Sequence, residues 1–331
     1  MNEPYNNMYK LALCGKFSKF TQIYLTSSKS TIEELKLNKI CSNLATDYNL
    51  CGYGLACYLN LINESTYWHS LIFFMLQFDI QYLAGAYQAA LAHAFRNIEL
   101  FPNIEVFYGD AFFVGFSPDG ELPDNELFEI AQIVLSQWPN NQAAKIVFDK
   151  EKDNPPTITV AEIIKQAIQQ DKHAAFRDLV LRGRYIETRQ LFLLLSEIEM
   201  QTILLEIATT LGNICAYDYG WFLMREMGEN SQRHSFMAKT AEESFKCERN
   251  GIRKDPKGLK ELVFFHTYRA AELESYNIEL QEALLALYEP GNESFDIEET
   301  QLLAQQVLKN KPECEQAIRV LELLNKKIDR I

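Results

Sequence analysis

In "GAYQAALAHAFRNIEL", residues 85–100, apolar side chains return at three- and four-residue steps, so Tyr87, Leu91, Ala94, Phe95 and Ile98 fall on one helical face. In "LVFFHTYRAAEL", residues 262–273, Phe264, Tyr268 and Ala271 repeat the stripe. "FDIEETQLLAQQVLKN" opens with Asp296 as an N-cap and Glu299 three residues on, the spacing of a capping box. Short breaks, "FSPDGELPDNE" at 116–126 and "EPGNESFD" at 289–296, separate such runs. Only 14 Gly and 10 Pro occur in 331 residues, whereas a β-sandwich or barrel needs a turn signal every dozen residues or so. The expected fold class is all-α.

Four blocks recur in the same order along the chain. "LCGKF" (Leu13 to Phe17) lies over "LRGRY" (Leu181 to Tyr185): a glycine, a basic residue, an aromatic. "INESTYWHSLI" (Ile62 to Ile72) lies over "MGENSQRHSFM" (Met227 to Met237), matching Glu64 with Glu229, His69 with His234 and Ser70 with Ser235. "HAFRNIEL" (93–100) lies over "HTYRAAEL" (266–273). "IAQIVLSQWPNNQAAKIV" lies over "LAQQVLKNKPECEQAIRV", matching Ala131, Pro139 and Ala144 with Ala304, Pro312 and Ala317. The order implies two homologous halves, residues 1–152 and 160–331. The charged, proline-bearing "DKEKDNPPTIT" at 149–159 cannot continue a helix and joins them.

"LRGRYIETRQLF" has the glycine-then-aromatic start of a tetratricopeptide-like helix pair. "AQIVLSQWPN" and "AQQVLKNKPE", closing at Pro139 and Pro312, have its end, and "NIELFPN" with Pro102 offers another. On these residues the chain resembles the tetratricopeptide-like helical-repeat family. That resemblance implies an α-solenoid of antiparallel helix hairpins that binds protein or peptide segments on a concave face.

The 45 acidic residues outnumber the 32 basic ones, for a formal charge of −13. Nucleic acid and anionic membrane are disfavoured as partners, and a basic protein or peptide is favoured. The most apolar run, "SLIFFMLQFDI", is broken by Gln77 and Asp79 well short of a membrane span, and "MNEPYNNMYKLALCGKF" lacks the pattern of a signal peptide. Seven cysteines without a C-x-x-C pair read as free thiols in a reducing, cytoplasmic setting. The GK of "LCGKF" lacks the rest of a phosphate loop, and "SPDGELPDNE" lacks the spacing of a calcium loop. Neither a cofactor, a metal nor a set of catalytic residues is expected.

Four of the five histidines occupy matched positions. His69 lies over Ile72, Phe73 and Leu76, and His234 over Met237, Ala238 and Ala241, so this pair is expected inward, as hydrogen-bonded core residues. Ser70 and Ser235 point about 100° away from the adjacent histidines and form no nucleophile–base pair with them. His93 and Arg96, like His266 and Arg269, face away from the apolar stripe. That face serves either as an interhelix hydrogen-bond lock or as a groove offering arginine to an acidic or C-terminal group. Arg96–Glu99 and Arg269–Glu272 also suit intrahelical pairs, each worth about 0.2–0.5 kcal/mol. His173, unmatched, is expected at the surface.

The candidate partner-binding residues are therefore His93, Arg96, His266 and Arg269. The expected function is a non-catalytic, protein- or peptide-binding helical-repeat protein, such as an immunity protein neutralising a basic toxin domain. The alternatives are an enzyme with a His/Arg site between the halves, or an intracellular peptide-pheromone sensor, for which a basic helix-turn-helix segment is missing.

Overall fold

The computed structural model describes residues 3–34, 36–117, 122–152, 155–156, 158–245, 247–249, 252–254 and 256–328. Among them it places nineteen α-helices and one two-stranded antiparallel ribbon, Cys247–Arg249 with Ile252–Lys254. No helix among the described residues is long and apolar enough to cross a membrane.

Local chemistry accounts for the helix ends. The Gln142–Glu151 helix stops before the two prolines, and Thr159 restarts the chain by capping Val160–Gln170. A full capping box forms there with Glu162 and again between Ser196 and Glu199. At Asp296 only half of the expected box forms. Asp296 accepts from the backbone N–H groups of Glu298 and Glu299, but the Glu299 carboxylate turns away to the Lys19 ammonium, 2.8 Å distant. An ion pair replaces the reciprocal bond. Parts of the 116–126 break and of the 149–159 joint lie outside the described residues.

The chain divides into two compact units that cut across the sequence halves 1–152 and 160–331. Unit one comprises Met1–Leu55, Met224–Glu242 and Asp255–Ile331, and unit two Ala56–Leu223 and Glu243–Lys254. Each unit thus takes its early helices from one half and its later helices from the other.

Matched residues make matched contacts. In unit one Gly15, at φ +66°, lies so close to the carbonyl oxygen of Glu261 that a Cβ would come within 2.3 Å of it. In unit two Gly183, at φ +69°, stands in the same relation to the carbonyl of Gln88, at 2.0 Å. Glu261 and Gln88 each precede a matched histidine by five residues, which explains why both blocks keep the glycine. Asn49 accepts from the Cys51 N–H at 2.9 Å while the Leu50 N–H donates to Lys257; Asn213, Cys215, Ile214 and Ala84 repeat the arrangement in unit two.

The Ala86–Leu100 helix corrects the expected core stripe. Its most buried side is Ala86, Ala89, Ala90, His93, Ala94 and Asn97, whereas Tyr87, Phe95 and Ile98 are only half-buried. The Thr66–Phe74 helix and the Glu105–Gly115 helix both pack on it. Small side chains let backbones approach, so the face bearing His93 became an interior one.

Candidate functional site

Each unit contains a buried polar cluster built from the matched residues. In unit two, Nδ1 of His69 and Nδ1 of His93 are 2.7 Å apart, and Nε2 of His69 donates to Glu64 at 3.0 Å. Arg96 closes the cluster with two parallel bonds to Glu64, both 2.8 Å, and reaches Glu99 with its third nitrogen. In unit one the His234 and His266 Nδ1 atoms are 2.8 Å apart, His234 Nε2 lies 2.8 Å from Glu229, and Arg269 holds Glu229 at 2.8 and 2.9 Å and Glu272 at 2.7 Å. Such two-pronged arginine–carboxylate bonding fixes geometry as well as charge.

All four rings are buried: His69 is 1% exposed, His93 8%, and His234 and His266 0%. The face that opposes the apolar stripe therefore meets the neighbouring helix and carries an interhelix lock, with the Arg–Glu pairs three residues apart as its outer edge. Burial pushes the imidazoles of His234 and His266 down from their ordinary value, in His234 against the pull of Glu229. Burial works against ionisation of Glu229, but hydrogen bonds from Arg269 and His234, with their charges, bring its carboxyl to about 2. His173 stands at the surface, 3.1 Å from Glu199.

The clusters differ in their further partners: in unit two Asn60 lies 3.3 Å from His69 Nε2 and Arg189 reaches Glu99, whereas in unit one Ser18 donates to Glu272 at 3.1 Å. His93 Nε2 faces Asp218 Oδ1 at 3.2 Å. Counting residues from Asn213 and Asn49 to their matched successors, the place of Asp218 in unit one belongs to Gly54.

Beside the unit-one lock, on the outer side of the Leu259–Leu273 helix, a cavity of about 410 Å³ opens. Phe264, Tyr268 and Phe295 supply its aromatic wall, and Glu272, Asp296 and Glu299 its charges; no lysine, arginine or histidine is among its lining residues. Gln281, 3% exposed, also lines it, and its Oε1 accepts no hydrogen bond among the described residues. A buried carbonyl left that way costs free energy until a donor arrives. The phenol of Tyr268 is pushed up first by burial and then by the Glu272 and Glu299 carboxylates, with Lys19 and Arg269 acting the other way.

Unit two places different chemistry at the matched residues. Phe95 matches Tyr268, Glu126 matches Glu299, and Arg184 matches Lys16. The Arg184 guanidinium lies over the Phe95 ring, 4.4 Å from its centroid, with Glu126 at 3.4 Å and Glu187 as a second partner. No basic side chain stacks on Tyr268 in the same way among the described residues. Lys19 instead reaches Glu299 from the rim.

Comparison with protein-family models, with curated proteins and with solved structures gave no match. The reading of the site therefore rests on its chemistry.

Proposed function

We propose that this chain is a non-catalytic binding protein that takes a basic protein or peptide segment into the cavity of unit one. The observation that carries the reading is that cavity: three aromatic rings, an unsatisfied buried amide carbonyl, and three carboxylates of which Glu299 and Glu272 take their ion-pair partners, Lys19 and Arg269, from outside the lining. Its volume lies in the range of small-ligand pockets, and its charge complements a basic partner. An excess of 13 negative charges over the whole chain draws such a partner in.

The matched glycine, asparagine, histidine and arginine contacts support descent of the two halves from one helical stretch. Successive helices packing on one another, Thr66–Phe74 on Ala86–Leu100 and Ile297–Asn310 on Glu315–Ile328 among them, support a stacked-hairpin, solenoid-like arrangement. An immunity protein facing a basic toxin domain is a setting that fits, as is a peptide sensor; buried free thiols at Cys14, Cys41, Cys51, Cys57, Cys215 and Cys314 suit the cytoplasm. A His/Arg enzyme gains less support, because the four rings that would do the chemistry are sealed and bonded to each other and to carboxylates.

The test is a titration of the labelled protein with basic, neutral and acidic peptides of equal length at rising salt. The basic set is expected to bind, with an on-rate that falls as salt screens charges more than about 8 Å apart. Equal binding of all three sets, or an on-rate indifferent to salt, overturns the reading.

A further inference from the structure

We propose that the unit-one cavity recognises a guanidinium group, that is, an arginine side chain of the partner, and that unit two shows the bound arrangement with an arginine of this chain. This inference rests on the basic-partner reading above and narrows it.

In unit two Arg184 satisfies three conditions at once: its Cζ lies over an aromatic ring, its charge meets Glu126, and it lies largely buried. Cation–π attraction is strongest for such a desolvated, stacked guanidinium. Unit one keeps the ring as Tyr268 and the carboxylate as Glu299, has Glu272 where unit two has Glu99, and adds Asp296, but the position of Arg184 is taken by Lys16. Lys16 and Lys19 line a small recess that shares Phe264, Tyr268 and Glu299 with the cavity, and a lysine cannot supply a planar fork of donors. The receptor half of the interaction is present and the guanidinium half is not. Gln281 Oε1 adds a waiting acceptor, and a guanidinium has five N–H donors to share between it and the carboxylates.

Lys19 is the competitor. Its ammonium sits 2.8 Å from Glu299 with side chains 41% and 58% exposed, the kind of surface pair that contributes little and gives way readily. Removing it should therefore help an incoming arginine, an effect that a purely structural Lys19–Glu299 pair would not produce.

The experiment uses the full chain and two blocked peptides that differ only in a central arginine or lysine, titrated calorimetrically at low salt. The arginine peptide is expected to bind about tenfold more tightly. Tyr268→Leu should weaken it about tenfold, Glu299→Gln several-fold, and Lys19→Met should tighten it, each checked for an unchanged melting temperature. Should Tyr268→Leu fail to fold, Glu299→Gln and Lys19→Met decide between outcomes. Equal affinity for both peptides, with Glu299→Gln and Lys19→Met silent, overturns the guanidinium pocket while leaving the basic-partner reading standing. Binding of neither peptide overturns both.

Discussion

Unit one and unit two hold the same lock and differ in what surrounds it. Glu64, His69, His93 and Arg96 superimpose in role on Glu229, His234, His266 and Arg269, bond for bond. Beside the lock, Asp218 has Gly54 for its counterpart, and the aromatic wall filled by Arg184 has an open one. The constant part ties neighbouring helices together in each unit; the variable part is the wall beside it, covered by Arg184 in unit two and open in unit one. Gly54 shows the difference concretely. A Cβ there would come 2.2 Å from Leu262 Cδ2, so apolar packing in unit one has taken the room that unit two gives to a carboxylate.

The comparison breaks first if the lock is not shared. Glu229→Ala would take the two-pronged partner from Arg269 and the Nε2 partner from His234, and Glu64→Ala the same from Arg96 and His69, leaving the arginines only Glu272 and Glu99. Each change is expected to cost about 2–3 kcal/mol in denaturant unfolding, because hydrogen bonds to charged groups are lost where water reaches poorly. Arg96→Ala and Arg269→Ala should likewise lower stability together. A parent-like midpoint for either glutamate variant would show that the two clusters do different work.

Next in size is the filled wall. Arg184→Ala should destabilise by about 1–2 kcal/mol, since Glu126 is 6% exposed and its carboxyl, pushed up by burial, leans on Arg184. Lys16→Ala, at the matched position, should change stability by less than about 0.5 kcal/mol. Methylguanidinium added to the Arg184→Ala variant should restore part of its melting temperature, and by binding the open wall of unit one it should raise that of the Lys16→Ala variant as well. Failure of that rescue would separate the two walls chemically and weaken the use of unit two as a guide to unit one.

Much of this was legible in the sequence, and the omissions have physical causes. The matched histidines, arginines and glutamates were visible because they recur in the same order at similar spacing. What spacing along one helix cannot show is that His69 and His93 touch, since they sit on neighbouring helices. The expected face of Ala86–Leu100 followed the large apolar residues, but the helix is packed on more than one side and its alanines go deepest. The composition of the units was also hidden. Gly15 needs the backbone five residues before a matched histidine, and the sequence is equally satisfied whether Gln88 or Glu261 provides it; the structure uses Glu261. Arg184 in "LRGRY" looked like a repeat marker because its stacking partner, Phe95, lies 89 residues away in the chain.

A smaller effect sharpens the contrast through pH. His234 and His266 are held neutral in the folded chain by burial, so below about 6.5 the unfolded chain binds protons that the folded one refuses. Their contribution is complete above that pH and is lost as pH falls toward their lowered folded values. Glu229 adds a second loss below about 4.5, continuing to about 2, because its folded carboxyl resists protonation. Melting temperatures from about pH 7 to about pH 5 should therefore fall, and His266→Gln should flatten the fall while lowering the plateau. An unchanged slope in that variant would remove the histidine pair as its source.

The smallest expected effect on stability tests the difference between Asp218 and Gly54. Asp218 adds an oxygen 3.2 Å from His93 Nε2, and it does so beside a ring already tied to its neighbour by the 2.7 Å Nδ1 contact and, through that neighbour, to Glu64. Asp218→Asn keeps the shape and reach of the side chain and removes a carboxylate, so stability should move by no more than about 1 kcal/mol, against the larger loss expected for Glu64→Ala. Denaturant midpoints of the two variants and the parent are the readout. A loss for Asp218→Asn as large as that for Glu64→Ala would make this carboxylate as much a part of the unit-two lock as Glu64, and unit one, with Gly54 in that place, would then hold its helices in a different way.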